Sequence, residues 1–343
     1  MGKGVPVIMT AEPVIILEGP MPETLPLFDL PPLEMRDRLQ AKLRALARQR
    51  LYLGTSSWKY EGWLNQIYTP ERYRVRGKFS RKRFEAECLA EYAETFPIVC
   101  GDFSFYQFPP PDFWHKLFAS VPPQFLFAFK VPEDITVFTF PQHPRYGGRK
   151  GTRNPHFLNA ELFASQLLEP LSSYRERVPV ILFEFGAFPP SLFAEAGEFA
   201  ELLAAFFACL PDTFRYGVEI RNPEFLDEPF FAALRHHRVA YVFNAWTRMP
   251  EIGAQMQLPG AFTADFTVVR ALLQVGCPYE DAVRQFSPYE KLQNPNPEIR
   301  RALRQLLVRA KQRSEPTYIF INNRLEGNAL STVEAILEEF EAQ

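Results

Sequence analysis

From residue 51 onward, short β-branched or aromatic runs alternate with longer stretches in which apolar positions recur at helical spacing. The runs that predict strands are LYLGTS (51–56), PIVCGDFS (97–104), FLFAFKV (125–131), PVILFEF (179–185), FRYGVEI (214–220), VAYVFNA (239–245), FTVVRA (266–271) and TYIFINN (317–323). Helical patterns stand between them, among them FEAECLAEYAETF, PDFWHKLFASV, EPFFAALRHH and EIRRALRQLLVRAKQRS, and LSTVEAILEEF follows the last strand. Only the connection after the sixth strand shows no clear helix. Eight strands, each normally followed by a helix, are the unit count of an α/β fold of (β/α)8 TIM-barrel type, here over residues 51–343. A doubly wound sheet would usually carry a glycine-rich turn after its first strand, and LGTSSWKY has no G-x-G-x-x-G.

Residues 1–50 form an N-terminal extension to this pattern. The first 30 or so are proline-rich with short apolar runs and no periodicity, which predicts an extended arm lying on the domain or poorly ordered. In PPLEMRDRLQAKLRALARQR, Leu33, Leu39, Leu43 and Leu46 recur near helical spacing among charges, which predicts an amphipathic helix packed on the barrel. Two long loops, one after the third strand and one after the sixth, fall on the side of a barrel where function concentrates.

Side chains alternate along a strand, so period-two parity sorts the strand ends by face. Ala128 and Lys130 share a face; so do Leu182 and Glu184, then Gly217, Glu219 and Arg221, then Val242 and Asn244, then Val268 and Arg270. Small or apolar residues precede a polar one each time, as a barrel requires if its interior is packed below and opens into a charged site above. Asp102 ends the second strand, and Asn322 and Asn323 end the eighth, where buried amides would cost free energy without partners. The plain alternative is an ion-pair ring that closes the barrel top structurally. SSWKYEGW, after the first strand, adds Ser56, Trp58, Tyr60 and Trp63, able to stack on a sugar or base or simply to cap the mouth.

Charge and cysteine usage narrow the partners. With Lys+Arg 38 against Asp+Glu 40, the net charge of −2 supplies no whole-protein attraction for nucleic acid or an anionic membrane. Cys88, Cys100, Cys209 and Cys277 are spread without C-x-x-C spacing, which fits thiols in a reducing compartment. VPVIM and VIIL are too short to span a bilayer and no signal-peptide pattern precedes the domain, so a cytoplasmic protein with no membrane partner is expected. None of the five histidines ends a strand, which argues against a histidine-rich metal centre. No cofactor is indicated. A divalent ion would find its oxygen ligands in Asp102, Glu184 and Glu219.

Together LGTSSWKYEGWLNQIYTP, YAETFPIVCGDFSFYQFPP, FLFAFKVPEDIT, YGVEIRNPEF, FTVVRALL and YIFINNRLEGNA resemble the domain of unknown function 72 family, also called YecE-like. The resemblance implies a TIM barrel, and no settled activity. It carries family positions onto Gly54, Thr55, Ser56, Trp58, Tyr60, Trp63, Phe105, Tyr106, Lys130, Glu219, Arg221, Arg270, Asn322 and Asn323. The second strand departs from the family's valine, glutamate, hydrophobic, asparagine order, reading Val99, Cys100, Gly101, Asp102. Val137 stands where a histidine is frequent, and Glu184 where a glutamine is expected.

The expectation is an enzyme acting on a polar anionic or carbohydrate-like small substrate at the mouth. Glu219, Glu184 and Lys130 are the candidate catalytic groups. Arg221 and Arg270 would bind a negative group, and Asn244, Asn322, Asn323, Asp102, Ser56, Trp58 and Tyr60 the rest of the substrate. The alternatives are a nucleic-acid-binding or phosphodiester-processing barrel and a ligand-binding protein without turnover.

Overall fold

The computed structural model describes residues 33–193 and 195–341. Its eight barrel strands are β1 (Leu51–Thr55), β2 (Ile98–Gly101), β3 (Leu126–Lys130), β4 (Ile181–Phe185), β5 (Tyr216–Ile220), β6 (Ala240–Ala245), β7 (Thr267–Ala271) and β8 (Thr317–Ile321). All pair in parallel and in chain order to form one closed barrel. β1 lies between its two neighbours as closure demands, pairing Leu51 with Thr317 through Thr55 with Ile321 on one side, and Thr55 with Val99 on the other.

The alternation along each strand sorts the core into two layers. Cys100, Ala128, Leu182, Val242, Val268 and Phe320 meet inside the barrel, while Phe127, Phe129, Phe183, Phe185 and Phe243 face outward into the helix layer. The many phenylalanines therefore serve mainly as sheet-to-helix filling, in edge-on contacts such as Phe118 with Phe127 at 5.1 Å and Phe183 with Phe206 at 5.4 Å. Several helices begin at a side-chain cap: Ser80 accepts from Arg83 N, Asp227 from Phe230 N, and Asn296 from Glu298 N and Ile299 N.

The helix Glu34–Ala47 precedes β1 and buries Leu39, Leu43 and Leu46. It is tied down by Gln40 donating to Glu94 O and by the pairs Arg38–Glu334 and Lys42–Glu341. The expected arm over the first 30 residues lies outside the described residues. After β6 only the short helix Ile252–Gln255 forms. Its Gln255 is buried and accepts from Tyr241 OH and Asn244 N while donating to Asn244 O, so one amide does the joining that a full helix does elsewhere. The connection after β7 holds two helices, Tyr279–Phe286 and Pro297–Arg313, of which the first is not evident from the sequence pattern.

Candidate functional site

The ends of β2 to β5 and of β7 bring six charged side chains together. Lys130 Nζ lies 3.0 Å from Asp102 Oδ1 and 3.0 Å from Glu184 Oε2. Arg221 Nη2 lies 3.0 Å from both Glu184 Oε1 and Glu219 Oε1, and Arg270 Nη1 donates to Glu184 Oε2 at 2.5 Å and to Glu219 Oε2. Glu219 is fully buried, Arg270 and Lys130 are nearly so, and Asp102 is open to solvent. Three cations thus meet three carboxylates, and the cluster is neutral. Aromatic rings cover two of the cations: Lys130 Nζ sits 3.5 Å from the Phe105 ring centre and the Arg221 guanidinium 3.6 Å from that of Trp246.

Burial alone would favour neutral forms, and the neighbours outweigh it. Burial pushes the Glu184 carboxyl up, but Arg221, Lys130 and Arg270 hold it well below the usual range. Burial pulls Lys130 down, and Asp102 and Glu184 leave it above an ordinary lysine. Arg270 is likewise held well above its usual value by Glu219 and Glu184 against burial. All three stay ionised at neutral pH. A carboxylate with a depressed folded value contributes stability that is complete above its unfolded value, near about 4.3, and lost as pH falls through the folded one. The stability gap between wild type and Glu184→Gln should therefore be full at pH 7 and narrow steadily below about pH 4. Denaturant titrations at pH 7 and pH 3 check this, and an unchanged gap would contradict it.

On the β1–β8 side the mouth is built from Ser56, Tyr60, Asn322 and Arg324. Asn322 donates through Nδ2 to Ser56 Oγ at 2.6 Å and accepts through Oδ1 from Arg324 N at 2.9 Å. Tyr60 packs edge-on to Tyr289 at 5.3 Å. Ser56, Tyr60 and Arg324 are half-buried, open enough to meet a ligand.

Three expected site residues are placed elsewhere. Asn323 has the opposite parity from Asn322; its Oδ1 accepts from Ala329 N at 2.7 Å and caps the last helix, Ala329–Glu341. Trp58 is buried and stacks on Phe103 at 4.7 Å, over Gly101, where a side chain would collide with both rings. The glycine that departs from the family pattern is the space the indole fills. Asn244 faces inward in register with Arg270 but is fully buried, with Nδ2 donating to Ile220 O and Val242 O. Arg221 and Arg270 contact both oxygens of Glu219, and Arg221, Lys130 and Arg270 those of Glu184. Arg324, which with the two amides marks the polar end of the eighth strand in the sequence, joins the mouth; so do Tyr279, Tyr289 and Trp246, which no sequence pattern marks.

Among the described residues, no group of three or more His, Cys, Asp or Glu side chains is arranged to hold a metal ion. Clefts of about 450 Å³ on the outer face of the helix Pro297–Arg313 and about 440 Å³ between the loops after β4 and β5 lie outside the six-residue cluster.

Fold and mouth together define a TIM barrel whose strand ends hold a buried, neutral charge cluster. Residues 52–343 match the family described as "Protein of unknown function DUF72", and the chain belongs to that family. Among solved structures it is similar to a DUF72 family protein of Thermotoga maritima MSB8, at 21% identity and TM-score 0.55, covering 85% of this chain and 99% of that one. It is similar also to one of Enterococcus faecalis V583, at 15% identity and TM-score 0.56, covering 85% and 97%. At these identities the likeness concerns the fold. No curated protein matches the chain. Among the described residues no helix is long and apolar enough to cross a membrane.

Proposed function

We propose that the protein is an enzyme acting on a polar, anionic or carbohydrate-like small substrate at the barrel mouth, with Asp102 as the group that exchanges a proton with it. The observation that carries this reading is an asymmetry among the three carboxylates. Glu184 and Glu219 are enclosed by cations, whereas Asp102 meets only Lys130, through Oδ1, and its side chain stays 45% exposed. Glu184 and Glu219 therefore act as positioning residues that hold Lys130, Arg221 and Arg270. Lys130, kept protonated, orients Asp102 and a substrate oxygen beside it; it does not serve as a nucleophile. Ser56, whose oxygen accepts from Asn322, keeps its own hydroxyl hydrogen for a substrate oxygen.

The test begins with mass spectrometry of ligand that copurifies with the protein, followed by a search for product formed from it. Asp102→Asn should lower turnover by roughly 10²- to 10⁴-fold, the range of general acid–base assistance, with ligand affinity and thermal stability little changed. Wild-type turnover in this variant would remove Asp102 from the chemistry. Release of the ligand unchanged would make the protein a binder, and strongly salt-dependent retention of oligonucleotides would favour the nucleic-acid reading.

A further inference from the structure

Charge bookkeeping at the mouth leaves one cation over. Lys130, Arg221 and Arg270 are balanced by Asp102, Glu184 and Glu219. Arg324 has no carboxylate at ion-pair distance among the described residues, and its Nε is buried without a hydrogen-bond partner. Its guanidinium lies 4.7 Å from the ring centre of Tyr279. Its electrostatic neighbours are the hydroxyls of Tyr60, Tyr279 and Tyr289 and, most weakly, Asp102. A half-buried guanidinium whose Nε is buried without a partner is costly in the absence of a counter-charge, and a ligand anion would supply one.

The surrounding structure is built at some cost to keep the tyrosines there. Tyr289 adopts φ of 71°, a left-handed conformation that bulky residues rarely accept. Its loop is held in place from three directions. Gly62 lets the backbone come so close that a side chain there would stand 2.3 Å from Pro288 O. Gln66 donates to Glu290 O at 2.9 Å, and Asn328 donates to Tyr289 O at 3.0 Å. None of these contacts supports the six-residue charge cluster. They set Tyr289 against Tyr60 and beside Arg324, so the strained loop, the glycine and both amides act together on one spot.

We infer that Arg324, flanked by Tyr60, Tyr279 and Tyr289, is an anion-recognition subsite that takes the carboxylate or phosphoryl group of the substrate, with the tyrosine rings against the planar or pyranose portion next to it. A guanidinium fork pairs two oxygens of such a group, and phenol rings supply apolar faces with hydroxyl edges. This deepens the reading of the mouth as a substrate site and rests on it. It also moves anion recognition from Arg221 and Arg270, whose charge is already satisfied, to the β8 end, which β1 alone separates from the strand that Asp102 follows.

Phenyl phosphate and inorganic phosphate serve as probes, titrated calorimetrically into the full chain at low ionic strength. Wild type should bind phenyl phosphate saturably and more tightly than inorganic phosphate. Arg324→Met should weaken phenyl phosphate at least tenfold, with Arg324→Lys in between, and Tyr279→Leu should remove the preference for the phenyl ester. On wild type alone, phenylglyoxal modification of Arg324, followed by peptide mass spectrometry, should be slowed by phenyl phosphate; this readout stands even where a variant folds poorly. Unchanged affinity in Arg324→Met combined with loss in Arg221→Met would place the anion on the charge cluster, overturning the subsite while leaving the mouth a substrate site. Absence of saturable binding by wild type, or labelling of Arg324 unaffected by the probe, would overturn the subsite as well, whereas the Asp102→Asn result bears on the catalytic reading separately.

Discussion

Replacing Arg270 with methionine should cost about 3 to 5 kcal/mol of folding stability at pH 7, the range for breaking a buried ion pair on one side only. Arg270 is 4% exposed and joins Glu184 to Glu219 through a single nitrogen. Without it Glu219, which has no exposed surface, retains only Arg221, and two carboxylates remain in a desolvated space with one fewer cation. The double variant Arg270→Met/Glu219→Gln should recover part of the loss, because removing both partners of a buried pair is far less costly than stranding one. Urea denaturation of the three proteins, analysed with a common slope, measures this. A loss below about 1 kcal/mol for the single variant would show that the cluster is not held in the way its distances describe.

This expectation separates two roles that the strand-end charges combine. Arg270 and Glu219 are enclosed and their pairing bears on stability, while Asp102 is the exposed member of the cluster. On the proposed reading a structural ring and a substrate site are not alternatives, since Glu184 ties Lys130, the partner of Asp102, to Arg221 and Arg270.

Gly54→Ala should be the most damaging single-methyl change in the barrel, at about 3 kcal/mol or more, above the usual range for overpacking. Gly54 lies in β1 on the inward face, and a Cβ there would stand 2.2 Å from Ile98 O, a backbone atom of β2. A flexible side chain could turn away; a strand carbonyl moves only with its strand. Between β1 and β2 the ladder is the single pairing of Thr55 with Val99, so this seam has little else to hold it. Gly217→Ala in β5 is the matching control, because its Cβ would meet only side chains, Leu182 and Val242 at 3.0 Å, and should cost under about 1.5 kcal/mol. Thermal and urea melts of the two variants decide the matter, and equal losses would show that the close approach at Ile98 is not limiting.

The amino-acid sequence by itself determined the number of strands, their order and which residues face inward, because the side-chain period of a strand is two and every barrel strand ends in a polar residue on the same parity as its packed interior. That is why Lys130, Glu184, Glu219, Arg221 and Arg270 were legible as a group before any contact was known. The partnerships within the group were not legible, since they depend on stagger between strands as far apart as residues 184 and 270. Tertiary structure alone decided that Glu219 is enclosed and Asp102 exposed with Lys130 as its partner, that Trp58 fills the space over Gly101, and that Asn323 caps a helix while Asn322 holds Ser56. It also decided that among the described residues Arg324 has no carboxylate at ion-pair distance, and that Tyr289 comes beside it on a segment whose course has no periodic signature and is set by where the backbone can approach Gly62 and be held by Gln66 and Asn328.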